Sequence, residues 1–163
     1  MINKDCDVVE GKNRFRYRVA GLIIKDDKCL FITSESLKYI YTLGGGVKIG
    51  ESSEEAIIRE VYEELGVKCK VVRLAAIIEN FFIGTIGVIK DDRCHALEFY
   101  YILNVEEEEL EAKSINMDGD LEEVRWLDIN NLENFDVRPA VLKNRITEII
   151  NSKEVIHIIN KKM

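Results

Sequence analysis

The stretch Gly44–Val67, GGGVKIGESSEEAIIREVYEELGV, commits the chain to a helix of fixed start and stop directly after a run of glycines. Ser52 and Glu55 have the spacing of a capping box, in which the two residues satisfy each other's backbone N–H groups. Ile57, Val61 and Leu65 then recur every four residues, the stripe of a helix with one face in a core. Gly66 follows as a C-terminal cap should, so the pattern predicts a helix over Ser53–Leu65.

Six glutamates fall between Glu51 and Glu64, and three of them, Glu60, Glu63 and Glu64, stand three and four residues apart on one helical face. The expectation is that Arg59 projects from a different side, leaving the three carboxylates without a counter-charge. An acidic helix face is most often simply solvated. Here Gly44, Gly45, Gly46 and Gly50 precede it and let the backbone pass close to a ligand. A divalent cation joins the two features, since carboxylates are hard oxygen ligands for Mg²⁺ or Mn²⁺, which in turn bind phosphate oxygens. A lysine-based phosphate loop is excluded: GGVKIGES has the glycine spacing, but Glu51 stands where the lysine is required.

The rest of the sequence fits a single domain over residues 1–163, with a core at about 15–150 and a tail at 151–163. At 47% hydrophobic and 33% charged residues, the composition is that of an ordinary globular protein. A net charge of −7 argues against nucleic acid or an anionic membrane as partner, because both require a basic surface. Cys6, Cys29, Cys69 and Cys94 show no CxxC or zinc-ligand spacing and read as reduced thiols. The N-terminal MINKDCDVVEGKNRFRYR lacks an apolar signal core, and no apolar run approaches a membrane span, so a cytoplasmic location is expected.

Phe15–Ile24 and Cys29–Thr33 read as strands joined by a turn at Asp26–Lys28. Further strands are expected at Cys69–Asn80, in a paired Phe81–Ile89 region, at His95–Val105 and at Glu122–Leu127, with a turn at Lys90–Arg93. A second helix is expected from near Pro139, with the proline in its first turn, to about Ile150, and Glu154–Ile159 reads as a last strand or a disordered end. Strands alternating with two helices give a mixed α/β class.

From Gly45 the residues run G-x5-E-x7-R-E-V-x-E-E-x-G-V, through Glu51, Arg59, Glu60, Val61, Glu63, Glu64, Gly66 and Val67. This resembles the Nudix box at every specified position. ENFF (Glu79–Phe82), HALEFYY (His95–Tyr101) and EEVRWLDINNLENF also look like the MutT-like bacterial branch. The resemblance implies an α/β/α sandwich with a mixed central sheet that hydrolyses a nucleoside diphosphate linked to another moiety. A nucleotide-sensing module without catalysis is the alternative.

By motif position, Glu60, Glu63 and Glu64, with the Gly44 carbonyl, would hold Mg²⁺, and Arg59 and Glu51 would brace the loop against the helix. The implied partner is a small-molecule nucleotide, and relatives are commonly homodimers. Leu43 replaces the proline many relatives carry, and Ala96 stands where they often carry glutamate, which shifts attention to Glu98 on the same strand face. Gly45, Glu98, His95 and Tyr100 are the candidate substrate contacts. Glu79 and Glu123 are candidates to reach the metal, although a solvated or salt-bridged carboxylate is the commoner fate. Trp126 reads as core, and Asn116–Glu123 as a polar loop.

Overall fold

The computed structural model describes residues 2–116 and 119–161. Ten strands form one curled mixed sheet: β1 (Asp7–Glu10), β2 (Asn13–Lys25), β3 (Lys28–Ser34), β4 (Ile40–Tyr41), β5 (Gly44–Gly46), β6 (Cys69–Ile83), β7 (Arg93–Val105), β8 (Glu122–Asp128), β9 (Val137–Arg138) and β10 (Ile156–Lys161). The main path runs β10-β6-β7-β2-β3-β4-β9, with β1 and β5 on β2 and β8 on β3. β2 with β7, β6 with β10 and β4 with β9 are parallel pairs, and the remaining pairs are antiparallel.

Two helices, α1 (Ser53–Leu65) and α2 (Leu142–Asn151), cover opposite faces. The alternation along β2 decides which residues meet which helix. Val19 and Ile23 pack in the core that contains Ile57, Val61 and Leu65 of α1. Ala20 and Leu22 belong to the core that contains Leu142, Ile146 and Ile149 of α2. Each of these valine, leucine and isoleucine side chains, almost fully removed from water, contributes roughly 1.5–3 kcal/mol.

The ends of α1 form as the sequence requires. Ser52 accepts from the Glu55 N–H, Glu55 accepts from the Ser52 N–H at 2.8 Å, and Gly66 closes the helix in the left-handed region. At the other helix, Arg73 of β6 donates to the Ile149 and Ile150 carbonyls at 2.8 and 3.0 Å, satisfying groups the helix end leaves open.

Several expectations are corrected. Phe81–Ile89 is not a separate strand: β6 continues to Ile83 in register with β7, and the Gly84 N–H bonds the Asp92 carbonyl to close the hairpin. Pro139 does not lie in the first turn of α2, because Arg138 is still held in β9 beside Tyr41; a turn intervenes before Leu142. The glycines Gly44–Gly46 form a strand paired antiparallel with β2. Of the expected polar loop at Asn116–Glu123, residues 117 and 118 lie outside the described residues, and Glu122 and Glu123 belong to β8. The tail supplies β10, parallel to β6 from Ile156↔Ala76 onward.

Candidate active site

β5 and α1 bring the glycines and the glutamates together. Gly44 lies so close to β2 that a Cβ would collide with the Val19 carbonyl, and its φ of +139° is one that side chains avoid. Its N–H donates to Glu64 Oε2 at 3.0 Å. At Gly45 a Cβ would strike the Glu60 carboxylate, which rests against the bare backbone. The glycines are therefore the surface on which two helical carboxylates lie.

Arg59 does not project away from the acidic face. Its Nη1 donates to Glu60 Oε1 at 2.6 Å and to Glu63 Oε2 at 3.1 Å. Its Nε and Nη2 grip both oxygens of Glu51 at 2.7 and 2.9 Å, and Nη2 also reaches the Gly46 carbonyl at 2.9 Å. A long side chain can curl across to its neighbour at i+1, so the angular separation on the helix does not decide which charges meet. Glu51, only 2% exposed, also accepts the Lys48 N–H at 2.9 Å. Its carboxyl is held below its ordinary range, chiefly by Arg59.

Glu60, Glu63 and Glu64 line a cavity of about 720 Å³ together with Gly44, Gly45 and Glu98. Its walls come from β2, β5, β6, β7, α1 and the segment before α2. Glu64 is 8% exposed, and burial, with Glu122 and Glu60 adding repulsion, pushes its carboxyl well above the usual range. Burial also raises Glu60, against the pull of Arg59. Glu98 is raised by burial in the same way, while Arg18, Tyr100 and Asn80 oppose the shift. Together these carboxylates occupy a desolvated region in which added positive charge is favoured.

A model of the NUDIX domain matches residues 14–146 of this sequence. The chain belongs to the Nudix family.

An ADP-ribose pyrophosphatase of Methanocaldococcus jannaschii is 35% identical over 117 residues, covering 70% of this chain and 62% of that protein. This chain spans less than two thirds of the length of the curated relatives it matches. Among solved structures, the MutT protein from Bacillus halodurans superposes with a TM-score of 0.64 at 18% identity, covering 87% of this chain and 86% of that one. An ADP-ribose pyrophosphatase from Streptococcus suis superposes at 0.62 and 14% identity, covering 89% and 98%. These structural likenesses show the Nudix fold: a mixed curled sheet between two helices.

Nudix hydrolases generally use divalent metal ions, and the donors here suit one: clustered carboxylate oxygens, partly desolvated, on a glycine backbone. Among the described residues, no three His, Cys, Asp or Glu side chains stand together in a metal-holding arrangement. Arg59 draws Glu60 and Glu63 to itself, and the Gly44 N–H holds Glu64. For these carboxylates to share a cation, Glu60 and Glu63 would have to leave Arg59.

His95 is not brought to the Nudix cavity. It faces the opposite side of β7 from Ala96 and Glu98, stacked on Phe81 at 4.2 Å and edge-on to Phe15 at 5.3 Å. Glu79 shares that face, 2.8 Å from His157 and 3.8 Å from His95. Tyr100 does lie at the cavity, but it is 1% exposed and its hydroxyl donates to Glu98 at 2.9 Å, so its ring is packed rather than offered to a base. Glu123 is exposed on the outer side of β8, and Trp126 packs against the α1 core.

Glu122, not its neighbour, enters the cavity and accepts from the Tyr41 and Ser114 hydroxyls. Strand alternation separates Glu122 from Glu123, but which of the two points inward depends on the pairing of β8 with β3. Asn80, bonded to Glu98 at 3.2 Å and to Asn160 at 2.8 Å, also went unnoticed in the sequence, because β10 supplies its partner from 80 residues away.

Proposed function

We propose that this Nudix protein is a Mg²⁺-dependent pyrophosphohydrolase acting on a nucleoside diphosphate linked to another moiety, such as a nucleoside triphosphate or ADP-ribose. The observation that carries the reading is the gathering of Glu60, Glu63 and Glu64 at one cavity against the Gly44–Gly46 backbone. The likeness to the ADP-ribose pyrophosphatase of Methanocaldococcus jannaschii supports it.

Glu60, Glu63 and Glu64, with the Gly44 carbonyl, are the groups that would hold Mg²⁺, with Mn²⁺ as a substitute. Bound there, the metal supplies charge neutralisation for the diphosphate and lowers the pKa of water. Gly45, whose lack of a Cβ leaves the Glu60 carboxylate against bare backbone, is the candidate backbone contact for the diphosphate. Arg59, anchored by Glu51, braces α1 against the glycine strand through the Gly46 carbonyl. Glu98, fixed by Asn80 and Tyr100, supplies a polar contact on the sheet floor.

The test is a panel of nucleoside diphosphate derivatives with Mg²⁺, wild type against Glu64→Gln. Loss of a metal-holding carboxylate is expected to lower turnover about 100-fold or more. If no compound is hydrolysed, or the variant matches wild type, the reading is wrong. Tight binding without turnover would establish the sensing alternative.

A further inference from the structure

The same cavity contains two guanidinium groups, Arg16 and Arg18, that its acidic chemistry does not employ. They stand two residues apart on β2, so both face the cavity, roughly 6.6 Å apart along the strand. Neither makes a hydrogen bond or an ion pair among the described residues. The other arginines at this cavity and on β2 are occupied: Arg138 with Thr85 and Asp136, and Arg14 with Asp7 and Asp92. The remaining arginines that lack partners, Arg93 and Arg125, are solvent-exposed, whereas Arg16 and Arg18 are half-buried.

Asp7 attracts Arg16 at longer range but does not bond it. Asp7 lies directly opposite it across β1 and β2. That carboxylate gives one oxygen to Arg14 at 2.9 Å and leaves its other oxygen without a partner, yet Arg16 does not take it. On its other flank, Arg16 meets Ala96, whose methyl leaves room where a longer side chain would fill the floor. Arg18 sits between Gly46 and Glu98 and attracts Glu60, Glu64 and Glu98 at longer range without bonding any of them. A protein of net charge −7 thus keeps two forked cations with free N–H donors in its main cavity. Desolvating such donors is costly unless a ligand satisfies them, and a guanidinium fork matches phosphate oxygens in pairs.

We infer that Arg16 and Arg18 form an anion cradle for a phosphate group of the substrate lying beyond the diphosphate held at the glutamate end. Resting on the proposed hydrolase function, this narrows the substrate class: a nucleotide with a further phosphate is preferred over one whose diphosphate ends in a neutral sugar. Arg18 is the inner contact, beside Gly46, and Arg16 the outer one, beside Ala96.

Two measurements on the full chain test it. In the first, inorganic tripolyphosphate is titrated calorimetrically in EDTA, where only the protein's own cations can hold it. Wild type binds, and Arg16→Gln/Arg18→Gln loses affinity by about 100-fold, roughly tenfold per guanidinium. Arg18→Lys, which keeps the charge but not the fork, loses less than Arg18→Gln. In the second, the ratio of kcat/KM for a nucleoside triphosphate to that for ADP-ribose falls in the double variant, mainly through KM.

Failure of wild type to bind tripolyphosphate, or equal binding by the double variant, overturns the cradle. If the double variant does not fold, Arg16→Gln alone must show the tenfold loss. The two proposals fail separately. Arginine-dependent binding with no hydrolysis of any nucleotide removes the hydrolase reading and keeps the cradle. Hydrolysis with an unchanged substrate ratio removes the cradle alone.

Discussion

Replacing Arg59 with methionine is expected to destabilise the fold by about 3–5 kcal/mol, the usual consequence of leaving one partner of a buried ion pair uncompensated. The stranded group is Glu51, whose side chain is 2% exposed and would retain only the Lys48 N–H as a donor. The lost contacts to Glu60 and Glu63 add less, since the Glu63 side chain is half exposed and water replaces Arg59 there. With a urea dependence of about 2 kcal/mol/M, the unfolding midpoint should fall by roughly 2 M.

A second substitution, Glu51→Gln in the Arg59→Met background, removes the buried charge and should restore about half of the loss. The penalty also depends on pH. Arg59 holds the folded Glu51 carboxyl below its ordinary 4.5, so the stability it lends is present above that value and disappears as pH falls through the folded pKa. The gap between wild type and Arg59→Met should therefore be widest near neutrality and narrow as pH falls from 4.5 through the lowered folded value. A series of urea melts from neutral pH into acid measures both effects. A penalty under about 1 kcal/mol at pH 7, or one that does not shrink in acid, would refute the claim that Arg59 serves chiefly to neutralise Glu51.

Gly45→Ala should leave the protein folded but drive the Glu60 carboxylate from the glycine surface, so kcat should fall while the thermal midpoint moves by only a few degrees. Gly66→Ala, at the left-handed cap of α1 with φ of +71°, should cost about 1 kcal/mol in chemical denaturation without altering KM. Glu98 has a folded pKa raised by burial. The folded state therefore holds its proton more tightly, and wild-type stability falls as pH rises from 4.5 through the folded value. Glu98→Gln should flatten that decline and be the more stable form at pH 7, which melts across pH 4–8 would show. Pyrophosphatase assays on the same variant decide whether its charge also serves turnover.

What was legible in the sequence was what short-range physics controls. The capping box, the four-residue apolar repeat and the glycine stop placed α1 at Ser53–Leu65, because each acts within a turn or two of helix. The box also located Glu60, Glu63 and Glu64, since helical spacing alone puts them on one face. The hairpin of β2 and β3, and β8, followed from period-two alternation and turn residues.

The tertiary structure decided everything that depends on partners distant in sequence. Short strands such as β4, β5 and β9 exist only because β2, β3 and each other offer them hydrogen bonds. Strand alternation could say that Glu122 and Glu123, or His95 and Ala96, face opposite ways, but only sheet pairing says which way is inward. The reach of Arg59 to Glu60 and Glu63 depends on a side-chain path that helical angles do not fix. Arg16 and Arg18 read in sequence as ordinary polar positions of a half-exposed strand. Curling of the sheet around β2 placed them in the cavity with the glutamates, because a charge gains meaning for a ligand only from what the fold packs, or fails to pack, against it.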